Sequence, residues 1–512
     1  MRTSRIAGIG VGLIAALTLA ACAPSTPDPP SGGPEQPPEG TEVDPMAPVH
    51  IGSLRAPESL DIAADDESGA IEALIGNVYE TLFVVTDSGA VQPLLAAGHE
   101  RSEDGLTHTF ALRPDVAFHS GDPLVADDVV DSIERARGTT PASPGGAGLQ
   151  AVDSVVALDD DTVEIHLVRP SISLAADLAR VPIANDRLDG DRTTTADGTG
   201  PYTLVPWEPG SEITLERNDE YWGDAAENER VVFEHFADAT ALGNALLAGD
   251  IDIATGVATP GAAAMFEADD SLVVSDGTST NEVVLAFNNR VAPFDDVRVR
   301  RAVSAAIDDE AVREAAWGDR GEVIGSMVPP TDAWYEDLSG IDVYDPDQAR
   351  DLLAEAGYPD GLTFTLPLPT GSDHMTDAEL IRDQLAEAGI TAEVEEVAPD
   401  EWHRLVVEDG EYGATLVNRP GVRDLLTYGD PEAIWGYDNP EVAEWIEQSE
   451  LVTTGAEQTE LLKLVARTIA EDAASEWLYV TPTLVVAADT VSGYPINGLG
   501  AQFFAFHIRK ST

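Results

Sequence analysis

Cysteine is all but missing: Cys22 is the only one in 512 residues. A body without thiols holds no disulfide framework and no thiolate metal site. Basic residues are scarce too, with 28 Lys and Arg against 93 Asp and Glu and a formal charge of −65. Such a field repels nucleic acid and anionic lipid and keeps a chain soluble at high concentration. The acids are spread along the chain, so a solvated acidic surface is favoured over a dedicated cation pocket. No apolar run beyond the N-terminus approaches the roughly 20 residues of a membrane-spanning helix. Catalytic signatures are absent as well: there is no Gly-x-Ser-x-Gly elbow, no His-Glu-x-x-His and no cysteine nucleophile apart from Cys22. Asp127-Asp128 and Asp269-Asp270 are adjacent pairs that point apart and read as surface acids. The nine histidines (His50, His99, His108, His119, His166, His235, His374, His403 and His507) are scattered without ligand spacing. No enzyme, no metal site and no cofactor are therefore expected.

What is present begins at the N-terminus. Arg2 and Arg5 precede an apolar stretch at residues 6–19, followed by Leu19-Ala20-Ala21-Cys22. Residues 1–21 read as a signal peptide, too short for a membrane anchor. A cysteine after the cleavage point is similar to the bacterial lipoprotein signal, which implies lipidation of Cys22 and a position on the outer face of the cell membrane. Residues 22–48 are rich in Pro, Gly and acids and lack apolar periodicity. They cannot bury enough surface to fold and read as a disordered tether, a spacer of roughly 3 Å per residue where it is polyproline-like.

The body is too long for one core, because cores stop growing at about 250–300 residues. Alternation predicts strands at 49–54, 107–112 and 163–168. Helical spacing of Ile71, Leu74, Ile75, Val78 and Leu82 predicts a helix over 70–83, and a second is expected at 126–137 with a cap near Asp127-Asp128. Residues 139–147 read as a loop. Further on, a strand at 362–368, a helix opened by a capping box at Thr376-Asp377-Ala378-Glu379 and stopped by Gly389, and a strand at 390–397 make a βαβ unit. Asp345-Pro346-Asp347-Gln348 opens another helix, which ends at Gly357. The class is α/β with more than one sheet.

Four blocks in order resemble the family 5 extracellular solute-binding proteins, the peptide- and nickel-type binding components of ABC importers. The first is Gly105-Leu106-Thr107-His108-Thr109-Phe110-Ala111-Leu112-Arg113, continued by Val116-Ala117-Phe118-His119-Ser120-Gly121-Asp122-Pro123-Leu124. Gly198-Thr199-Gly200-Pro201-Tyr202 with Tyr221-Trp222-Gly223 is the second, and Leu247-Ala248-Gly249-Asp250-Ile251-Asp252 the third. Phe287-Asn288 with Pro293-Phe294-Asp295-Asp296-Val297-Arg298 and Ala305-Ala306-Ile307-Asp308 is the fourth. Most of these residues are architectural. Gly198 and Gly200 suit a tight turn, Asp296 suits a helix cap, Phe118 and Trp222 suit a core, and His119 suits a structural role.

The resemblance implies a two-lobed periplasmic-binding-protein-like fold of type II with an extra subdomain and a hinged ligand cleft. One lobe would comprise 49–61, 185–278 and 485–512, the extra subdomain 62–184, and the second lobe 279–484. It implies a monomer that passes a peptide or peptide-like solute to ABC permease subunits. A metal chelate or an oligosaccharide in the same fold, with His374 and His403 assisting a chelate, is the alternative, as is a surface sensor without transport. In peptide-binding relatives one strand pairs with the ligand backbone, carries Trp and is followed by an Asp for the α-amino group. The corresponding stretch, residues 414–424, lacks Trp, has Val422 near the acid position and Asp424 as a displaced candidate, and loses an N–H donor at Pro420. Asn418, Arg419 and Arg423 remain candidates there, since a guanidinium fork suits a carboxylate as well as it suits a surface acid. Trp402 and Trp435 could stack on a ligand or fill the core. Asn288 and Arg55 are candidates by position.

Overall fold

The computed structural model describes residues 42–62, 69–86, 90–138, 148–185, 187, 190–257, 260–420, 424–500 and 502–511. The expected signal peptide, Cys22, most of the tether, the loop at 139–147 and Arg423 lie outside the described residues.

The first expected strand forms as Val49–Ser53, and its alternation is overridden because both faces are covered. It lies inside a nine-stranded mixed sheet, parallel to Arg230–His235 on one side and to Ile253–Ala254 on the other. The path runs Tyr202–Leu204, Ile213–Arg217, Arg230–His235, Val49–Ser53, Ile253–Ala254, Ser475–Ala488, Leu272–Phe287 and Ala414–Pro420. Two long antiparallel strands carry the sheet across the molecule. They pair from Leu272 opposite Ala488 to Thr278 opposite Pro482, lose register, and resume from Glu282 opposite Val480 to Ala286 opposite Ser475. Ser279 spans the break, its hydroxyl donating to the Thr481 carbonyl at 2.6 Å and accepting from the Asn281 N–H at 3.0 Å.

On either side of that break the strands serve different cores. Val49, Ile51, Leu74, Tyr202, Leu215 and Phe233 share one with Val485 and Ala487. Beyond it, Val283, Leu285 and Phe287 face a core with Phe294, Val303 and Leu366, while Val284 and Ala286 face Tyr428, Trp435 and Trp477. Burial on both faces explains the unbroken apolar run Val283–Phe287, which no alternation marks. A further antiparallel sheet, Ala96–Arg101, Thr107–Leu112, Thr162–Leu167 and Val152–Asp159, packs against the helix Ala126–Gly138. Asp128 is buried in that helix's first turn, where it accepts from the Val125 N–H at 2.9 Å and from Arg187 at 2.9 Å. It caps the helix and does not face solvent as its pairing with Asp127 suggested.

The βαβ unit is present: Leu362–Pro369 and Ile390–Val397 pair in parallel, linked by the helix Met375–Glu387 with Gly389 at φ +85° beyond its end. Asp345 caps the helix Pro346–Glu355, and Asp296 caps Val297–Ser304. Three local expectations differ. The helix expected over 70–83 is only Gly69–Leu74, because Gly76 takes φ +80° and Asn77 uses its amide to hold the Ala73 and Phe503 carbonyls. Thr376 does not cap its helix: His374 holds that position without a side-chain bond, and Asp377 turns to His374 (3.1 Å) and the Tyr479 hydroxyl (3.0 Å). Gly198 and Gly200 serve close approach more than a turn, since an added Cβ would fall 2.0 Å from the Val78 carbonyl and 2.4 Å from that of Asn77. Phe118 is core, and Trp222 is half-buried with its indole N–H on Glu80 at 2.8 Å. His119 holds the Gly200 carbonyl at 2.9 Å.

Candidate functional site

Ala414–Pro420 ends the strand order of the large sheet, pairing with Leu272–Phe287 from Phe287 opposite Ala414 to Asn281 opposite Pro420. Asn288 holds the approach to it. Its buried amide donates to the Gly410 and Tyr412 carbonyls (2.9 and 3.2 Å), and its oxygen accepts from the Arg290 N–H. Trp402 sits at the start of the edge strand, its indole N–H on the Thr415 hydroxyl at 3.1 Å, and Thr415 in turn donates to the Pro367 carbonyl at 2.7 Å.

Polar chemistry gathers at the other end. The Arg419 guanidinium donates through Nε and Nη2 to a single oxygen of Asp424, Oδ1, at 3.1 and 2.5 Å. It also lies 5.6 Å over the Trp435 ring, a cation–π contact. Trp435 is fully buried, stacked on Tyr428 at 4.7 Å and bonded to the Thr427 hydroxyl at 2.8 Å. Thr427 closes the turn on the Asp424 carbonyl, and Tyr428 reaches Ser475 at 3.1 Å. The platform thus fixes both members of the ion pair from below. Directly across the sheet from Arg419 stands Glu282. Glu282 is fully buried, and among the described residues neither of its carboxylate oxygens has a hydrogen-bond partner; nor does Asp424 Oδ2. Burial first, then the charges of Asp424 and Asp332, holds the Glu282 carboxyl well above the usual range, with Arg419 opposing. Asp424 is raised by burial, with Arg419 again opposing.

Arg419, Asp424 and Trp435 are therefore brought together, and Asn418 lies beside them on the same strand. Asn288 and Trp402 belong to the other end of that strand. Arg55 is exposed after the first strand, on the far half of the sheet, its N–H on Ser53 Oγ at 3.1 Å. Sequence reasoning missed Glu282. Its signal was a charged residue opening the apolar run Val283–Phe287. A cleft of about 340 Å³ lies nearby, lined by Leu426, Gly429, Asp430 and Ile446 on one wall and Arg169 on the other. Alongside it, Ser171 and Ser173 donate to the Glu450 carboxylate at 2.8 Å each, joining the four-stranded part to the helix Pro440–Leu451.

Comparison with known proteins adds the lineage. The model of "Bacterial extracellular solute-binding proteins, family 5 Middle" matches residues 90–424. Heme-binding protein A of Haemophilus influenzae is 30% identical over 340 residues, which cover 60% of this chain and 62% of that protein. The dipeptide-binding protein of Escherichia coli is 29% identical over 377 residues, covering 67% and 69%. Among solved structures, HbpA2 from Haemophilus parasuis superposes with TM-score 0.82 at 22% identity, covering 91% of this chain and all of that one. The periplasmic binding protein DppA from Helicobacter pylori, in complex with the peptide STSA, gives 0.72 at 22% identity, covering 91% and 98%. These likenesses show a two-lobed periplasmic-binding-protein fold of mixed α/β class.

Proposed function

From the premise that this chain belongs to the family 5 bacterial extracellular solute-binding proteins, we propose that it captures a short peptide or peptide-like solute between two lobes and delivers it to a membrane ABC permease. The observation that carries this is the edge strand Ala414–Pro420, which ends the sheet beside the register break and bears a fixed ion pair at one end. An edge strand offers main-chain groups to an extended ligand, a recurrent mode of peptide recognition. In this reading residues 49–61, 185–278 and 485–512 form one lobe, 279–484 the other and 62–184 a subdomain, with hinge motion where the long strands lose register. Arg419 is a framework cation for Asp424 before it is a ligand fork. A heme-like or chelated-metal ligand, suggested by the Haemophilus influenzae relative, is the second reading. His374 is committed to Asp377 and His403 is exposed beside Glu408, so the peptide reading is preferred.

A thermal-shift screen with tripeptides, hemin, nickel–histidine and oligosaccharides tests it. Ligand at 100 times its Kd stabilises the native state by about 2.7 kcal/mol, so a peptide should raise Tm by several degrees. Stabilisation by hemin or an oligosaccharide alone would refute the peptide reading.

We also propose that Cys22 is lipidated and holds the protein on the outer face of the membrane behind the Pro-rich tether. In a Cys22→Ala variant the exported protein should move from the membrane to the soluble fraction; unchanged membrane retention argues against the anchor.

A further inference from the structure

Ser171 and Glu450 are 279 residues apart in the chain and meet at a seam that no apolar core crosses among the described residues. The core of the four-stranded part draws on residues 82–183 with Trp222, and the core behind the helix Pro440–Leu451 draws on residues 284–480. Neither borrows a side chain from the other. What joins them is polar. Ser171 and Ser173 each give a hydroxyl to one oxygen of the buried Glu450 carboxylate, and the Ile172 N–H donates to the Glu450 carbonyl at 3.2 Å. Gln458, in the helix Gly455–Glu471, donates to Ser173 Oγ at 3.1 Å, and Arg101 donates to the Val452 carbonyl at 3.2 Å. Ser173 gives up a local role for this contact. It stands at the N-cap of the helix Leu174–Leu178, where a serine oxygen ordinarily accepts from the helix, yet it makes no cap bond.

On the other side the four-stranded part is held firmly. Trp222 packs into its core, and the buried Glu80 accepts from Thr199 at 2.8 Å, Tyr221 at 2.7 Å and Trp222 at 2.8 Å. In the two-lobed reading this part therefore travels with residues 185–278, and a hinge movement at the register break must part the seam. The seam has the chemistry of a contact that parts. Water can take over from its hydroxyls and carboxylate, and beside it lies the open cleft with Arg169 on one wall and Asp430 and Glu447 on the other.

We propose that Ser171, Ser173 and Glu450 form a latch that holds the two lobes shut over a captured solute and sets the rate of its release. The inference rests on the proposed capture by hinged lobes. A carboxylate that takes two hydroxyl protons makes charge-assisted bonds, stronger than neutral ones, and both form only when the two parts meet. Removing them should shift the balance of closed to open forms by about tenfold or more. The latch lies outside the strand Ala414–Pro420, so it governs how long a ligand stays and not which ligand is chosen.

The test uses the full chain in a Cys22→Ala background, where introduced cysteines are the only thiols. Spin labels at the exposed sites Glu103→Cys and Glu460→Cys flank the seam, and pulsed electron resonance reads the distance between them. With Ser171→Ala and Ser173→Ala combined, the long-distance population should grow about tenfold, and Ala-Ala-Ala should dissociate about tenfold faster with its association rate unchanged. Identical distance distributions with and without the two serines overturn the latch, and peptide capture stands if Ala-Ala-Ala still binds. A shifted distribution with an unchanged dissociation rate overturns the role in release. A shifted distribution with no peptide bound by either protein supports the latch and removes the peptide reading. A second arm keeps the serine-to-alanine pair out: Ser173→Cys and Gln458→Cys are joined by a short reducible bis-maleimide. The joined protein should neither take up nor release Ala-Ala-Ala, and reduction should restore exchange. Exchange at the unjoined rate while the link is intact would show that the seam need not part, and the inference falls. If the alanine pair fails to fold, the seam is a fixed weld and the inference is overturned.

Discussion

Replacing Arg300 with alanine is expected to lower the unfolding free energy by about 3–5 kcal/mol, the range for stripping one partner from a buried charged network. The side chain is buried in the helix Val297–Ser304 and spreads its fork over three main-chain carbonyls: Ala473 at 2.7 Å, Phe294 at 2.8 Å and Asp472 at 2.7 Å. Two of these end the helix Gly455–Glu471, whose last carbonyls have no intrahelical donors. Arg301 takes the Glu471 carbonyl next to them. Two guanidinium groups therefore cap one helix C-terminus, where positive charge also meets the negative end of the helix dipole. Alanine would leave three carbonyls without donors in a dry site and open a cavity. Lysine would not restore the network, because an ammonium on a single stem cannot reach three carbonyls set around a planar fork. Arg298, exposed on the same helix and paired with Asp296, is the control, with an expected loss of about 1 kcal/mol or less. Urea denaturation followed by circular dichroism measures both. A loss below about 1 kcal/mol for Arg300→Ala would show that the helix end is satisfied by other means.

The second large effect has the opposite sign. Glu476→Gln should stabilise the protein, and the gain should grow with pH. Glu476 lies in the strand Ser475–Ala488 beside Asp309, the first residue of the helix Asp309–Trp317, around a cavity of about 10 Å³ that Asp342 also lines. Burial, followed by the charge of Asp342, pushes the Glu476 carboxyl up to about 8. Asp309 is held well above its ordinary range by burial and by the Glu476 charge. The folded protein therefore keeps a proton on Glu476 that the unfolded chain sheds near pH 4.5. Where the native state binds more protons, stability falls as pH rises. The loss starts above the unfolded value and accumulates through about pH 8. Glutamine keeps the shape and the hydrogen-bonding capacity without a titrating proton. At pH 4 to 5 variant and wild type should melt within a degree or two of each other. By pH 8.5 the variant should be ahead by on the order of 2–4 kcal/mol, since each unit of displacement is about 1.4 kcal/mol. Equal pH profiles for the two proteins would show that the pair does not control alkaline stability.

Much of the fold was legible because it is written in local chemistry. The strand Thr107–Leu112 alternates cleanly since one of its faces is covered by a helix and the other is not, and period two survives in the sequence. The caps at Asp345 and Asp296 were readable because an aspartate oxygen and the second or third N–H of its helix are neighbours in the chain. Where a distant partner decided, the local reading failed. Thr376 and Glu379 had the spacing of a capping box, yet Asp377 was drawn away by Tyr479, about a hundred residues on. Helical spacing from Ile71 to Leu82 was real, but Asn77 gained more from carbonyls that include Phe503 than from continuing the helix.

The same division runs through the candidate site. By itself the sequence determined the α/β class, the acid-rich composition and the scarcity of thiols, which depend on composition or short-range pattern, and its resemblance to the family pointed to residues 414–424 as the place to look. It also singled out Arg419, Asp424 and Trp435. Only the tertiary structure decided what they do: Trp435 is the buried floor, Arg419 is spent on Asp424, and Glu282 stands opposite Arg419 without a side-chain hydrogen bond among the described residues. Strand order and register made that decision, because they bring Glu282 opposite Arg419 across more than a hundred residues of chain, and no local pattern encodes which carboxylate a guanidinium will choose.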